Sequence, residues 1–263
     1  MTGKWIWEAA AGLMIPFLGT SLGAMCVLLL KGTLNRKVGC GMAGFAGGVM
    51  VAASVWSLLI PAIERAEERG ETAFLPAAAG FAAGFLFLLV LDRILPQTPP
   101  SEGGGTPDAR LRQTYLTVFA VTVHNLPEGM AVGVVFAALA SGDPAVTVSA
   151  AMALSVGIAV QNFPEGAIVS LPLRSAGVGR GKALLIGVLS GAVELFGAVV
   201  TLFAAVSVGT AMPYLLSFAA GAMIYVVVEE LIPEMRDGAP SGVGAVSFAV
   251  GFLIMMILDV ALG

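Results

Sequence analysis

Polar side chains along this chain come in short clusters, and the apolar stretches between them are about as long as a helix needs to cross a bilayer. A run of about 20 residues with few or no charges spans a hydrocarbon core of about 30 Å at 1.5 Å of rise per residue. Eight such runs stand out, at roughly 8–30, 38–63, 72–92, 113–140, 145–173, 183–206, 211–232 and 241–260. They predict an all-α integral membrane fold, one transmembrane domain over 1–263. The first run opens "WIWEAAAGLMIPF" behind a single lysine. It is longer than a signal h-region and lacks a cleavage site, so it is read as a retained helix with Trp5 and Trp7 at the interface. Between the third and fourth runs, "PQTPPSEGGGTPDAR" (Pro96 to Arg110) is rich in Pro and Gly. It predicts a flexible loop over about 94–112.

Composition sharpens the class. Of 263 residues, 58% are hydrophobic and only 11% charged, against about 25% charged in an ordinary soluble domain. Mean hydropathy is +0.95. A clustered basic face is absent, which excludes a nucleic-acid partner; the lipid bilayer is the expected surroundings. Cys26 and Cys40 are too few for a disulfide framework or a thiolate metal site. With the amino terminus outside, ten basic residues fall in inner loops (Lys31, Arg36, Lys37, Arg93, Arg110, Arg112, Arg174, Arg180, Lys182, Arg236) and three outside (Lys4, Arg65, Arg69). That bias predicts both termini outside and the 94–112 loop in the cytoplasm. The outer "ERAEERGE" (Glu64 to Glu71) reads as a solvated helix end, or else as a vestibule attracting cations.

The chain also echoes itself. "FAAGFLFLLVLD" (Phe81 to Asp92) and "FAVGFLIMMILD" (Phe248 to Asp259) agree at seven of twelve positions. The preceding runs match as well, Gly44 to Pro61 against Ser217 to Pro233, with a slip of one residue. Runs 2 and 3 therefore correspond to runs 7 and 8. An offset of five spans makes the copies cross the membrane in opposite directions. An inverted repeat of helices 1–3 and 6–8 around helices 4–5 is the usual frame of alternating access, with its site near the midplane. Asp92 and Asp259, at matching ends, are expected to be helix-end groups.

The two central runs carry the chemistry. "VTVHNLPEGMAVG" (Val121 to Gly133) holds the only histidine, and "IAVQNFPEGAIVS" (Ile158 to Ser170) repeats the phrase with glutamine in its place. Charged residues well inside the runs are all acidic: Glu128, Glu165 and Glu194, then Glu229 and Glu230. Each costs on the order of 2.5–3.5 kcal/mol at the bilayer centre on insertion scales. With no intramembrane Lys or Arg, they are protonated, hydrated or bound to cations. On a helix His124 and Glu128, four apart, share a face, and Asn125 flanks the same carboxylate. Gln161, Asn162 and Glu165 repeat that pattern. Pro127 and Pro164 free the carbonyls of Val123 and Val160, which is tolerated at depth only where a polar cavity is lined. Imidazole, carboxylates and amides together suit Zn²⁺, Fe²⁺, Mn²⁺, Co²⁺ or Cd²⁺ rather than Ca²⁺, Mg²⁺ or Cu(I).

"HNLPEG" followed by "QNFPEG" resembles the paired motif of the ZIP (Zrt/Irt-like) metal transporters, in particular the short bacterial GufA-like branch. The resemblance extends over the whole chain. It implies a multi-pass protein of the bacterial inner membrane that moves divalent metal, Zn²⁺ foremost with Cd²⁺, Fe²⁺ and Mn²⁺ as candidates, into the cytoplasm. It also implies a two-metal centre. His124, Glu128, Gln161 and Glu165, with Met50 nearby, would make the first position. Asn125, Glu128, Asn162, Glu165 and Glu194 would make the second. Many relatives carry histidine where Gln161 stands, and some carry an acid in place of Asn162, so the donor set here is weaker. No cofactor beyond the transported metal is expected. Glu229, Glu230 and Glu234 would relay the ion at the inner exit, and Glu64 at the outer entrance. Association as a homodimer is compatible with such a chain.

Two other functions compete. A metal-selective channel would use the same groups, although the repeat favours a carrier. An intramembrane metalloenzyme needs HExxH or a third strong ligand with a general base, and the chain has neither. No P-loop is present to bind a nucleotide.

Overall fold

A computed structural model of the chain describes residues 4–29, 35–70, 72, 74–94, 107–142, 146–207, 211–236 and 242–262. Some side chains within those ranges, those of Trp5 and His124 among them, lie outside the described residues. The described chain is helical from end to end: α1 (Lys4–Leu29), α2 (Arg36–Ala53), α3 (Ile60–Glu68), α4 (Phe74–Ile94), α5 (Pro107–Ala140), α6 (Val148–Ser175), α7 (Arg180–Ser207), α8 (Met212–Val226), α9 (Ile232–Arg236) and α10 (Val243–Leu262). Seven segments are long and apolar enough to cross a membrane, two of them composite, Arg36–Glu68 and Met212–Arg236. In α5, 34 residues long, the apolar part that stands out runs Asn125–Ala140. Together these segments make a multi-pass membrane protein. Trp7 is exposed at the start of α1, as an interfacial anchor requires.

The predicted runs fall on these helices, with one shift at the long loop. There α4 reaches Ile94 and α5 already starts at Pro107, so the last residues expected in the loop are helical. Proline at the first helical position forfeits no hydrogen bond. Residues 95–106 lie outside the described residues. Elsewhere the starts are capped by side chains: Asn35 accepts from Lys37 N at 3.0 Å, and Thr147 from Ala150 N at 3.0 Å.

Four helix pairings dominate the packing: α1 with α6, α5 with α7, α2 with α10, and α4 with α8. The last two are built alike. A Cβ on Gly48 would strike the carbonyl of Phe248, and one on Gly251 that of Phe45, so α2 and α10 touch backbone to backbone. Between α4 and α8, a Cβ on Gly221 would strike the carbonyl of Phe81, and one on Gly84 that of Phe218. In the repeated phrases Gly48 corresponds to Gly221, Gly251 to Gly84, Phe45 to Phe218 and Phe248 to Phe81. Four close approaches therefore exchange in pairs.

The helix irregularities exchange as well. π-helical turns at Ser54–Leu59 and Val227–Leu231 each lead into an Ile-Pro step, joining α2 to α3 and α8 to α9. Pro61 and Pro233 offer no N–H to the preceding turn, and a widened turn takes up the clash of the ring with that turn's carbonyl. One turn has six residues and the other five. This is where the repeat slips by one.

Candidate metal centre

Glu128 and Asn125 on α5, Gln161, Asn162 and Glu165 on α6, and Glu194 on α7 are all buried, in a chain whose middle is otherwise apolar. Close helix contact brings them together. A Cβ on Gly129 would strike the carbonyl of Glu194, which fixes α5 on α7; one on Gly166 would strike that of Thr20, which fixes α6 on α1. The glycine after each motif glutamate is thus what lets the neighbouring helix approach.

The hydrogen bonds divide the cluster unevenly. Gln161 Nε2 donates to Glu128 Oε1 at 2.8 Å. Asn162 Nδ2 donates to Glu194 Oε2 at 2.6 Å, while Thr20 Oγ1 (2.5 Å) and Asn125 Nδ2 (3.2 Å) donate to Glu194 Oε1. Asn125 also reaches the backbone oxygen and the hydroxyl of Ser190, each at 3.2 Å, and Thr122 donates to that hydroxyl at 3.0 Å. Among the described residues, three buried oxygens of the cluster have no donor: Glu128 Oε2, Gln161 Oε1 and Asn162 Oδ1. Buried acceptors are almost always satisfied, and leaving one bare costs about 1–3 kcal/mol. Glu128, Glu165 and Glu194 also bury three carboxyl groups away from water, which is costly for any ionised form. A cation among these oxygens removes both penalties.

Of the other predicted residues, His124 lies on α5 one turn before Glu128, its side chain outside the described residues. Met50 is fully buried and belongs to the apolar core around α2. Among the described residues no three His, Cys, Asp or Glu side chains form a ready cage; the converging donors are two amides beside the carboxylates. Sequence reading missed Thr20, Thr122 and Ser190. The "GTSLG" stretch of α1 was the available signal for the first, a polar pair between glycines in an apolar helix.

Two cavities approach the cluster from opposite ends. One of about 40 Å³ runs from Asn125, Glu128 and Glu165 past Ile168 and Val226 to Glu230 and Glu234. Glu165 feels the charge of both those glutamates. Glu229, in contrast, is exposed. The other cavity, about 190 Å³, lies at the far end between Trp56, Ser57, Glu64, Val135, Ala150 and Asp259. Asp259 lies in the last turn of α10, as expected of a helix-end group. It is buried, accepts from Ser57 Oγ at 2.6 Å and keeps Oδ2 without a donor. Its sequence counterpart Asp92 accepts from the buried Tyr225 hydroxyl at 3.0 Å. The larger cavity stops short of the cluster. From Val135 back to Glu128 is about 10 Å of helix, and Ala131, Val132 and Val134 on that stretch are fully buried. Leu154 and Ile158 seal α6 in the same way.

A multi-pass helical protein with bare oxygens and acidic groups at its centre, reached by a cavity from one end, is of the ion-transporting class. The ZIP Zinc transporter family profile matches residues 97–259. The chain is 38% identical to "Zinc transporter ZIPB" of Bordetella bronchiseptica, covering 97% of this chain and 81% of that one. It is 36% identical to "Zinc transporter GufA" of Myxococcus xanthus, over 96% and 99%. It is 34% identical to "Zinc transporter ZIP11" of Xenopus tropicalis, over 97% of each. The chain belongs to the ZIP family and is GufA-like, as its paired motifs indicated. It is a divalent-metal transporter, not an enzyme.

Proposed function

We propose that the chain is a secondary carrier that brings divalent transition metal, Zn²⁺ first and Cd²⁺, Fe²⁺ or Mn²⁺ in competition, into the bacterial cytoplasm. The observation that carries this reading is the group of three donorless oxygens on Glu128, Gln161 and Asn162, buried beside the carboxyl groups of Glu165 and Glu194. Two positions can be drawn from the cluster. His124, Glu128, Gln161 and Glu165 serve the first, with Met50 on the neighbouring helix. Asn125, Asn162 and Glu194 serve the second, with Glu128 and Glu165 between the two.

Eight spans with both termini outside place α3 at the outer face and α9 at the inner one, following the basic residues. The paired glycine approaches and paired π turns support an inverted repeat of helices 1–3 and 6–8 around 4–5. Glu64 and Asp259 then stand at the entrance, and Glu230 and Glu234 at the exit, with Glu229 turned outward. A dication entering a cell at −100 mV gains about 4.6 kcal/mol, so no nucleotide is needed. The apolar plug between Val135 and Glu128 favours a carrier over a channel, since an open pore has no such seal.

The test is uptake into proteoliposomes loaded with a metal-responsive dye. Glu128→Ala and Glu165→Ala should each reduce uptake to that of empty vesicles while the purified proteins keep their helicity. Undiminished uptake by both would refute the centre.

A further inference from the structure

We infer that this centre holds one metal ion at a time, because the second position is already filled by hydrogen-bond donors of the chain itself, with Asn162 as the deciding residue. This rests on the metal centre proposed above. Both oxygens of Glu194 are engaged, Oε1 by the Thr20 hydroxyl and the Asn125 amide, Oε2 by the Asn162 amide at 2.6 Å. These donors come from three helices, α1, α5 and α6. Glu128 is the opposite case, with one oxygen accepting from Gln161 and the other accepting from nothing. A metal arriving at Glu128 meets an empty lone pair. At Glu194 it must first displace charge-assisted hydrogen bonds, the stronger kind.

Charge points the same way. Three carboxyl groups, Glu128, Glu165 and Glu194, are buried at the centre, on helices that carry no Lys or Arg at that depth. One dication leaves them with at most one surplus negative charge, which the three donors on Glu194 accommodate. Two dications bring four positive charges against three and leave an excess cation in low dielectric. Asn162 serves both sides of the divide. Its amide nitrogen holds Glu194, and its oxygen, buried without a donor, remains available to an ion beside Glu128 and Gln161. An aspartate there would remove the donor, add a fourth carboxylate and make two dications neutral. Asn162 and Thr20 are therefore positioning residues for Glu194, and through it they set the stoichiometry.

The experiment counts bound metal. Full-length protein in detergent is dialysed to equilibrium against Cd²⁺, and bound cadmium per chain is measured by mass spectrometry, with Glu128→Ala/Glu165→Ala as the background. The wild type should hold one ion per chain above background, and Asn162→Asp should hold two. Two in the wild type, or one in Asn162→Asp, overturns the inference and leaves the metal centre standing. None in the wild type overturns the centre and the inference together. Crystals of wild-type protein soaked in Cd²⁺ give an answer that needs no variant: one anomalous peak against Glu128 and Glu165 is expected, and a second peak against Glu194 overturns the inference.

Discussion

The two ends of this molecule are written in nearly the same words and do different things. At the α3 end, Asp259 and Ser57 face a cavity of about 190 Å³ that ends against a plug of small and branched apolar side chains. At the α9 end, a far smaller cavity, about 40 Å³, reaches Glu128 and Glu165 without interruption. The residues that correspond by sequence, Asp259 and Asp92, both accept a hydroxyl, yet one does so from a serine in a cavity and the other from a buried tyrosine. Similar sequence thus accompanies one mouth that is wide and stops short of the cluster and one that is narrow and reaches it. The asymmetry is what the proposed carrier reading expects of one side of a transport cycle.

That comparison can be attacked at several points. The largest effect is expected at the mirrored glycines. Gly48→Leu and Gly221→Leu each drive a side chain into a neighbouring carbonyl, so each should destabilise the detergent-solubilised protein by about 3 kcal/mol or more. Thermal unfolding of both should show similar losses, and a large loss at one alone breaks the equivalence of the pairs. Next, Asp259→Asn should slow uptake about tenfold at low external metal, equivalent to about 1.4 kcal/mol. Asp92→Asn should change it less than about twofold, and equal effects would mean the mouths do not differ in kind. In a background free of Cys26 and Cys40, Ile168→Cys should react several-fold faster with a small thiol reagent than Val132→Cys, since Ile168 lines the cavity at the α9 end and Val132 is fully buried. Equal rates would dissolve the plug. The smallest effect is Tyr225→Phe, expected to cost about 0.6–1.7 kcal/mol of stability, the range of side-chain hydrogen bonds within membranes, with uptake unchanged.

Much of this was legible in the order of residues. Runs of apolar side chains gave the helices, because length and hydropathy alone decide what can cross a bilayer. The six motif and glutamate positions on α5, α6 and α7 were legible too, since carboxylates without basic partners are conspicuous at depth. Thr20 was not, because threonine in an apolar helix satisfies its own hydroxyl on the preceding turn, as Thr20 does weakly with Pro16 O at 3.5 Å. Asp259 was legible as a helix-end group, but its burial was not, since its position in the span says nothing of Ser57, which the π turn brings across. The direction of the Asn162 amide was also beyond the sequence; it depends on three donors meeting one carboxylate from three helices.

The two widened turns have a bearing on how such a chain can change. Adding or deleting one residue in a regular membrane helix swings everything beyond it through about 100°, so that side chains meant for the protein interior end up in lipid. Here the surplus is absorbed on the spot, which is why a six-residue bend and a five-residue bend can both deliver Ile-Pro to equivalent places. Glu64 and Glu234 sit just downstream of these bends. Their aim can therefore be reset by a change of length that leaves the other helices where they are, a freedom denied to the uninterrupted α5 and α6 that carry the two Pro-Glu-Gly motifs.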